Sequence, residues 1–384
     1  MQAIEAFQAE SEQELDALDA QGQRRRLRLP QGIDLVSNDY LGLAGDARLI
    51  ERMRDALGRL GAGAGGSRLL RGHHGYFDAT ETRLAAFGGS ETALLFSSGY
   101  MANLGLLSTI MTRDDLVLSD ALNHASLIDG VRMSGARKHV YAHLDLNAVE
   151  RVLRTLRPKR TFIVTESVFS MDGDLAPLRE LADLAEAHGA LLIVDEAHAT
   201  GLYGIRGSGR VEELGLRERV LATVHTGGKA LGSGGAWVCG SRVLCDTLLN
   251  RARSFIFSTA PLPVLTAALD TALEIVQAEP DRRADVHRKA DLLRVALRAG
   301  GVDCGASASP IVPVLVGRNE VAVDLQQRLL EVGFDARAIR PPTVPVGTAR
   351  LRVTVRYPVS DEDLLRFARE TGRLLAAART PEQT

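Results

Sequence analysis

Cysteine and lysine are both scarce in this chain of 384 residues, and each scarcity is informative. The three cysteines, Cys239, Cys245 and Cys304, form no CxxC pair and leave an odd count, so neither a disulfide framework nor a zinc site is indicated. Such usage fits a reducing cytoplasm. No stretch approaches the roughly 18 uninterrupted apolar residues of a membrane span. The N-terminal MQAIEAFQAESEQELDALDA is acidic and amphipathic rather than basic and then apolar, so neither secretion nor membrane association is expected. An excess of one charge is missing too. Forty-six Lys and Arg oppose 48 Asp and Glu, a formal charge of −2, which lacks the basic footprint of a dedicated nucleic-acid binder. The sequence has no internal repeat and no low-complexity tract, which excludes a solenoid.

What is present is an ordinary globular composition, 45% hydrophobic and 24% charged. The length exceeds the roughly 250–300 residues at which one core stops growing, so a large and a smaller domain are expected. Residues 1–45 read as an N-terminal arm, with a helical start, the run Arg24-Arg25-Arg26 and the turn-rich SNDYLGL at 37–43. From 46 to 285, continuous apolar runs alternate with helical stretches, the pattern of strands buried on both faces. Strands are predicted at 93–97, 115–119, 138–143, 161–166, 190–195, 220–225 and 235–239, and an amphipathic helix at 174–189. This alternation implies an α/β fold with a mainly parallel sheet flanked by helices. A long helical stretch at 261–299 leads into residues 286–384. There a strand near 311–316, a helix near 319–332 and a strand at 350–355 suit a small α+β domain.

Chemistry concentrates at the ends of these strands, where open α/β sheets bind ligands. In ALLIVDEAHATG, 190–201, an apolar strand ends in Asp195, followed by His198. A carboxylate there needs a cationic partner or hydrogen-bond donors, unless it simply caps the next turn. DEAH also occurs in nucleotide-driven helicases, but these require a GxxxxGK[ST] phosphate loop. Here position 223 is Thr and position 230 is Ala, so that class is excluded. Lys229 sits in HTGGKALGSGG, a glycine-dense turn able to bring backbone close to a ligand. The other lysines, Lys138, Lys159 and Lys289, lie in arginine-flanked polar surroundings typical of surface lysines. A nucleophilic lysine must be partly desolvated. In SSGYMAN, Gly99 and Tyr100 open a helix whose N–H groups can face an anion. His124, in NHAS, is placed either to lay its ring on a planar ligand or to cap a helix. The glycine run GAGAGG at 61–66 follows a helix rather than a strand, so it supports no dinucleotide site; with His73 and His74 it is expected to shape a loop near the active site.

The ordered set SNDYLGL, SSGY, NHAS, TESVFSMDGD, DEAHATG, TGGKALG and RPPTVPVGTARLRV, spanning nearly the whole chain, resembles the α-oxoamine synthases. These are fold-type I pyridoxal-phosphate enzymes that condense an amino acid with an acyl thioester and release carbon dioxide. The resemblance implies Lys229 as the Schiff-base lysine, Asp195 as partner of the pyridine nitrogen and His198 as the contact to the phenolic oxygen. It implies His124 stacked on the ring, Ser170 against the cofactor, and Gly99, Tyr100 and Thr226 as the phosphate cradle. Ser258 and Thr259 correspond to residues reaching a phosphate across a homodimer interface. Asn38 and Arg352 correspond to the pair that holds the substrate carboxylate. Prolines at 341, 342 and 345 fix the loop that holds Thr343 towards the substrate, and Arg24, one of three adjacent arginines, corresponds to a contact of the acyl substrate. No metal is implied. The segment at 338–353 is most similar to the branch that joins L-alanine to a pimeloyl thioester, of coenzyme A or acyl carrier protein, at the start of biotin-ring assembly. The runner-up is the glycine-using 2-amino-3-ketobutyrate ligase branch, which SDALNHASLIDGVR also resembles.

Overall fold

A computed structural model describes residues 2–156 and 158–379. Its strands are β1 (Ile33–Asp34), β2 (Thr92–Phe96), β3 (Leu116–Asp120), β4 (Arg137–Tyr141), β5 (Thr161–Glu166), β6 (Leu191–Asp195), β7 (Ala222–Thr226), β8 (Ala236–Gly240), β9 (Ile311–Gly317), β10 (Phe334–Asp335), β11 (Arg337–Ile339) and β12 (Ala349–Thr354). Seven of them form one sheet in the order β2-β8-β7-β6-β5-β3-β4. All its pairings are parallel except those of β8, which runs antiparallel to both β7 and β2. The mainly parallel α/β layout read from the apolar runs is therefore the observed one.

Alternate residues of each strand supply the two faces of the sheet, as the pleat requires. Val117, Phe162, Val164, Ile193 and Val224 pack on one face with Ala102, Leu106 and Leu107 of the helix Gly99–Ile110. Leu118, Ile163, Leu192 and Val194 pack on the other with Leu178, Leu181, Ala182 and Ala185 of the helix Leu178–His188. That second helix starts four residues later than expected. Residues 174–177 are not helical, because Leu175 bridges back to Val168 and Pro177 precedes the first turn. The expected helical stretch at 261–299 divides into Val264–Ala278 and Pro280–Ala299, where Pro280 cannot continue the preceding hydrogen-bond ladder.

A three-stranded antiparallel sheet, β11-β12-β9, forms a second layer with the helices Asn319–Glu331 and Asp361–Arg379. Its core holds Leu293, Leu297, Val314, Phe334, Leu351 and Phe367. Leu35, from the segment read as an arm, is buried in the same core, and β1 pairs with β10 through Ile33 and Phe334. The arm's helix, Gln2–Ala20, buries no side chain. Among the described residues, no helix is long and apolar enough to cross a membrane.

Candidate active site

Strands β5, β6 and β7 run parallel, so their carboxyl ends lie side by side and bring three sequence-remote segments together. Asp195 closes β6. Its Oδ2 accepts from Asn103 Nδ2 at 2.7 Å and its Oδ1 from the Ala197 N–H at 2.8 Å. The side chain is buried but anchored on both oxygens. Glu166, at the end of β5, is its register partner and therefore its neighbour on the same face. Burial, and then the nearby Asp195 charge, push the Glu166 carboxyl up to about 8. Its Oε1 has no partner among the described residues.

Lys229 follows β7 in a loop that only glycine can form at two points. A side chain at Gly227 would run into the Gly234 carbonyl, and Gly232 adopts φ +59° against the backbone of Leu43 and Ala44. The loop turns Lys229 Nζ onto His198 Nε2 at 2.8 Å. Desolvation lowers the lysine to about 8, opposed by the charges of Asp195 and Glu166. His198 is buried, and desolvation first, then Lys229, hold it well below an ordinary histidine. The second ring nitrogen of His198 meets Tyr40 OH at 2.8 Å. Tyr40 is fully buried, which raises its phenol to about 12 against the opposing pull of Arg352.

Arg352 reaches from β12 across to the large sheet. Its Nε donates to the Ser170 carbonyl at 2.5 Å and its Nη1 to Thr354 Oγ1 at 2.9 Å. Although it is buried, no carboxylate among the described residues lies within ion-pair distance of it. Its charge acts on Tyr40, His198 and Lys229, which places its guanidinium within their cluster. Asn38 Oδ1 is 3.5 Å from Tyr40 OH, at the edge of the same group.

His124 caps the helix Ala125–Ser134, its Nδ1 accepting from the Ser126 N–H at 3.2 Å. The side chain remains exposed at the site's edge, and packing around it lowers its pKa, chiefly by desolvation. Ring stacking and helix capping are therefore compatible at this position. Gly99 begins the helix Gly99–Ile110 next to Thr226, whose Oγ1 accepts from the Gly228 N–H at 3.2 Å. Tyr100 is exposed and donates to Asp129.

The other sequence-assigned residues lie elsewhere on the chain. Ser258 is half-buried and Thr259 exposed, and neither has a hydrogen bond to the residues above. Arg24 pairs with Asp19 at 2.7 Å, while Thr343 accepts from Arg25 at 2.9 Å. Both border a groove of about 650 Å³ that also carries Arg28, Arg337 and Arg340. The GAGAGG loop meets the Ser258 segment, Gly66 O accepting from the Ala260 N–H at 2.9 Å. One surface assignment is corrected: Lys289 is buried, donating to the Tyr357 carbonyl at 2.7 Å and pairing with Asp285 at 2.8 Å, because its helix face is covered by the segment leading to the last helix. Tyr40, Asn103, Ser126 and Glu166 were not singled out in the sequence, although all four lie inside SNDYLGL, SSGYMAN, NHAS and TESVFSMDGD.

These groups fit pyridoxal phosphate: an amine of lowered pKa for its aldehyde, a buried carboxylate for its pyridine nitrogen, and a helix N-terminus with a hydroxyl for its phosphate. Fold and site together define a fold-type I pyridoxal-phosphate enzyme. Residues 30–370 match the family described as aminotransferase class I and II, and the chain belongs to that family. It is 49% identical over 334 residues to a putative 8-amino-7-oxononanoate synthase of Geobacillus kaustophilus, covering 86% of each chain. It is 47% identical over 356 residues to the 8-amino-7-oxononanoate synthase of Anaeromyxobacter dehalogenans, covering 89% of each. Among solved structures it resembles the serine palmitoyltransferase of Sphingomonas wittichii, with a TM-score of 0.86 at 32% identity over 90% of this chain and 88% of that one. It also resembles the 8-amino-7-oxononanoate synthase of Francisella tularensis, with a TM-score of 0.79 at 27% identity over 91% and 99%.

Proposed function

We propose that this enzyme condenses L-alanine with a pimeloyl thioester, releasing carbon dioxide and a thiol to give 8-amino-7-oxononanoate. Relatives of that name at 49% and 47% identity support the choice of substrates. Within the chain, the supporting observation is Arg352, a buried cation without a carboxylate partner among the described residues, beside Lys229 and His198. Such a guanidinium suits the carboxylate of an amino acid, which it grips with parallel hydrogen bonds, and Asn38 borders the same space.

Lys229 would hold the cofactor, Asp195 and His198 would face its pyridine nitrogen and phenolic oxygen, and Ser170 would lie against it. When bound, pyridoxal phosphate supplies the sink for the electron pair left on the alanine Cα. The amine of Lys229, easier to deprotonate than an ordinary lysine, takes the Cα proton. Cα then bonds to the thioester carbonyl carbon, and the C–S bond breaks to release a thiolate, which takes a proton from solvent. Loss of the carboxylate as carbon dioxide follows, and Lys229 returns a proton to Cα. His124, exposed at the edge of the site, orients the reacting groups from the open side.

The acyl donor, a thioester of coenzyme A or acyl carrier protein, is assigned to the arginine-lined groove. Arg340 there is pushed down by burial and by the charges of Arg25 and Arg28, so an anion would relieve their crowding. Arg337, on its wall, is the cross-strand partner of Arg352. Specificity constants test the assignment. Alanine with pimeloyl thioester should exceed glycine with acetyl thioester, although one methyl group contributes only about 1–3 kcal/mol, so some glycine turnover is expected. A higher value for the glycine pair overturns it in favour of a ketobutyrate ligase.

A further inference from the structure

Asp195 and the exposed His124 are joined by two residues that have no step of their own in the proposed reaction. Asn103 and Ser126 are each 1% exposed and lie on the helices Gly99–Ile110 and Ala125–Ser134. Asn103 Nδ2 donates one proton to Asp195 Oδ2 at 2.7 Å and the other to Ser126 Oγ at 2.9 Å. Ser126 Oγ lies 2.7 Å from His124 Nδ1, and the Ser126 N–H approaches the same nitrogen at 3.2 Å. The helices are clamped at this level. A side chain on Gly130 would press on Leu107 and on the Asn103 carbonyl at 3.0–3.1 Å, so the two helices approach closely here.

The amide is oriented from the Asp195 end, while the Ser126 N–H, which can only donate, independently makes His124 Nδ1 an acceptor. A carboxylate accepts only, so the Asn103 amide must turn its NH₂ towards Asp195; the reverse orientation would set amide oxygen against carboxylate oxygen. With both amide protons used, Ser126 Oγ is an acceptor from Asn103, and its own proton goes to His124 Nδ1. Nδ1 is then an acceptor and the ring proton sits on Nε2. Asn103 Oδ1 has no partner, so this buried amide is satisfied only as a donor, unlike an asparagine kept for general core polarity.

We infer that Asn103 and Ser126 are positioning residues through which Asp195 holds the pose of His124. The inference rests on the assignment of Asp195 and His124 to the cofactor ring. By contrast, it does not depend on which amino acid and thioester are used. Its function is to lock the groups at the nitrogen edge of the cofactor and on its face into one geometry, so that neither relaxes independently during turnover.

The test compares Asn103→Leu, Ser126→Ala and the double variant as holoenzymes. The readouts are the visible circular dichroism of bound pyridoxal phosphate, its dissociation constant, and the His124 tautomer by ¹⁵N NMR on histidine-labelled protein. In the wild type the Nε2–H tautomer is expected. Ser126→Ala should keep that tautomer, because the backbone N–H at 126 still donates to Nδ1, but should change the dichroism and lower kcat about tenfold, the low end of what outer-shell partners of metal-bound histidines contribute, with the melting temperature nearly unchanged. Asn103→Leu should also weaken cofactor binding, and the double variant should be no worse than Asn103→Leu, because a chain broken once has nothing further to lose. Independent effects that multiply in the double variant, Ser126→Ala with wild-type dichroism, or an Nδ1–H tautomer in the wild type, overturn the inference. If Asn103→Leu does not fold, Ser126→Ala alone decides. Turnover of a different substrate pair by the wild type would refute the proposed reaction without altering these spectra.

Discussion

Lys229 Nζ and Tyr40 OH sit at opposite nitrogens of one buried imidazole, each 2.8 Å from His198. Desolvation keeps that imidazole neutral, so it has one proton to share between its two partners. If Tyr40 donates to Nδ1, the Nε2 proton points at the lysine amine. If the lysine is an ammonium, the Nδ1 proton points at the tyrosine. The protonation state of Lys229 is therefore registered by a fully buried phenol that no periodicity in the sequence marks as functional.

Borohydride reduction of the holoenzyme should fix pyridoxal phosphate to Lys229, as read by peptide mass mapping; a label on Lys138, Lys159 or Lys289 refutes the site. Because burial lowers Lys229 to about 8, capture of the cofactor by apoenzyme should accelerate as pH rises towards 8 and then level off. An ordinary lysine, near 10.4, would show acceleration continuing to about pH 10. Lys229→Ala should cost at least about 10²-fold in kcat, since one amine serves several proton transfers.

His225 is buried against Trp237, with ring centroids 5.2 Å apart, and its nitrogens meet Thr200 Oγ1 at 2.9 Å and Thr223 Oγ1 at 2.7 Å. Desolvation pushes it from 6.5 to about 3. The unfolded chain therefore takes up a proton that the folded one refuses, and His225 makes the fold lose stability as pH falls from 6.5 towards 3. His225→Gln should flatten the acid limb of a stability-against-pH curve measured by urea unfolding. An unchanged slope would show that other groups govern acid unfolding.

Among the described residues Ser258 and Thr259 have no hydrogen bond to their own chain's site, and we propose that they reach a neighbour's phosphate in a homodimer. Mixing Lys229→Ala protein with a Ser258→Ala/Thr259→Ala variant should restore activity beyond either parent, because a hybrid dimer contains one site with both contributions intact. A monomer at micromolar concentration with full cofactor affinity, seen by sedimentation, would remove the basis for a shared site.

The sequence by itself determined the strands and what stands at their ends. Continuous apolar runs encode burial on both faces, so β5, β6 and β7 were legible to within about two residues, together with the positions of Asp195, His198 and Lys229. Local conformational competition was harder to see: the helical pattern at 174–189 hid a non-helical start at 174–177, since amphipathic spacing continues through residues that a bridge to Val168 holds out of the helix. The surroundings of Lys289 looked solvated because charged neighbours in sequence say nothing about which helix face another segment covers. Only the tertiary structure decided the polar network. Tyr40 and His198 are 158 positions apart, Asn103 and Asp195 are 92 apart, and Arg352 and the Ser170 carbonyl are 182 apart. A hydrogen bond depends on distances of tenths of an ångström between segments, and those are fixed by how helices and sheets pack, not by the short-range periodicity that a sequence displays.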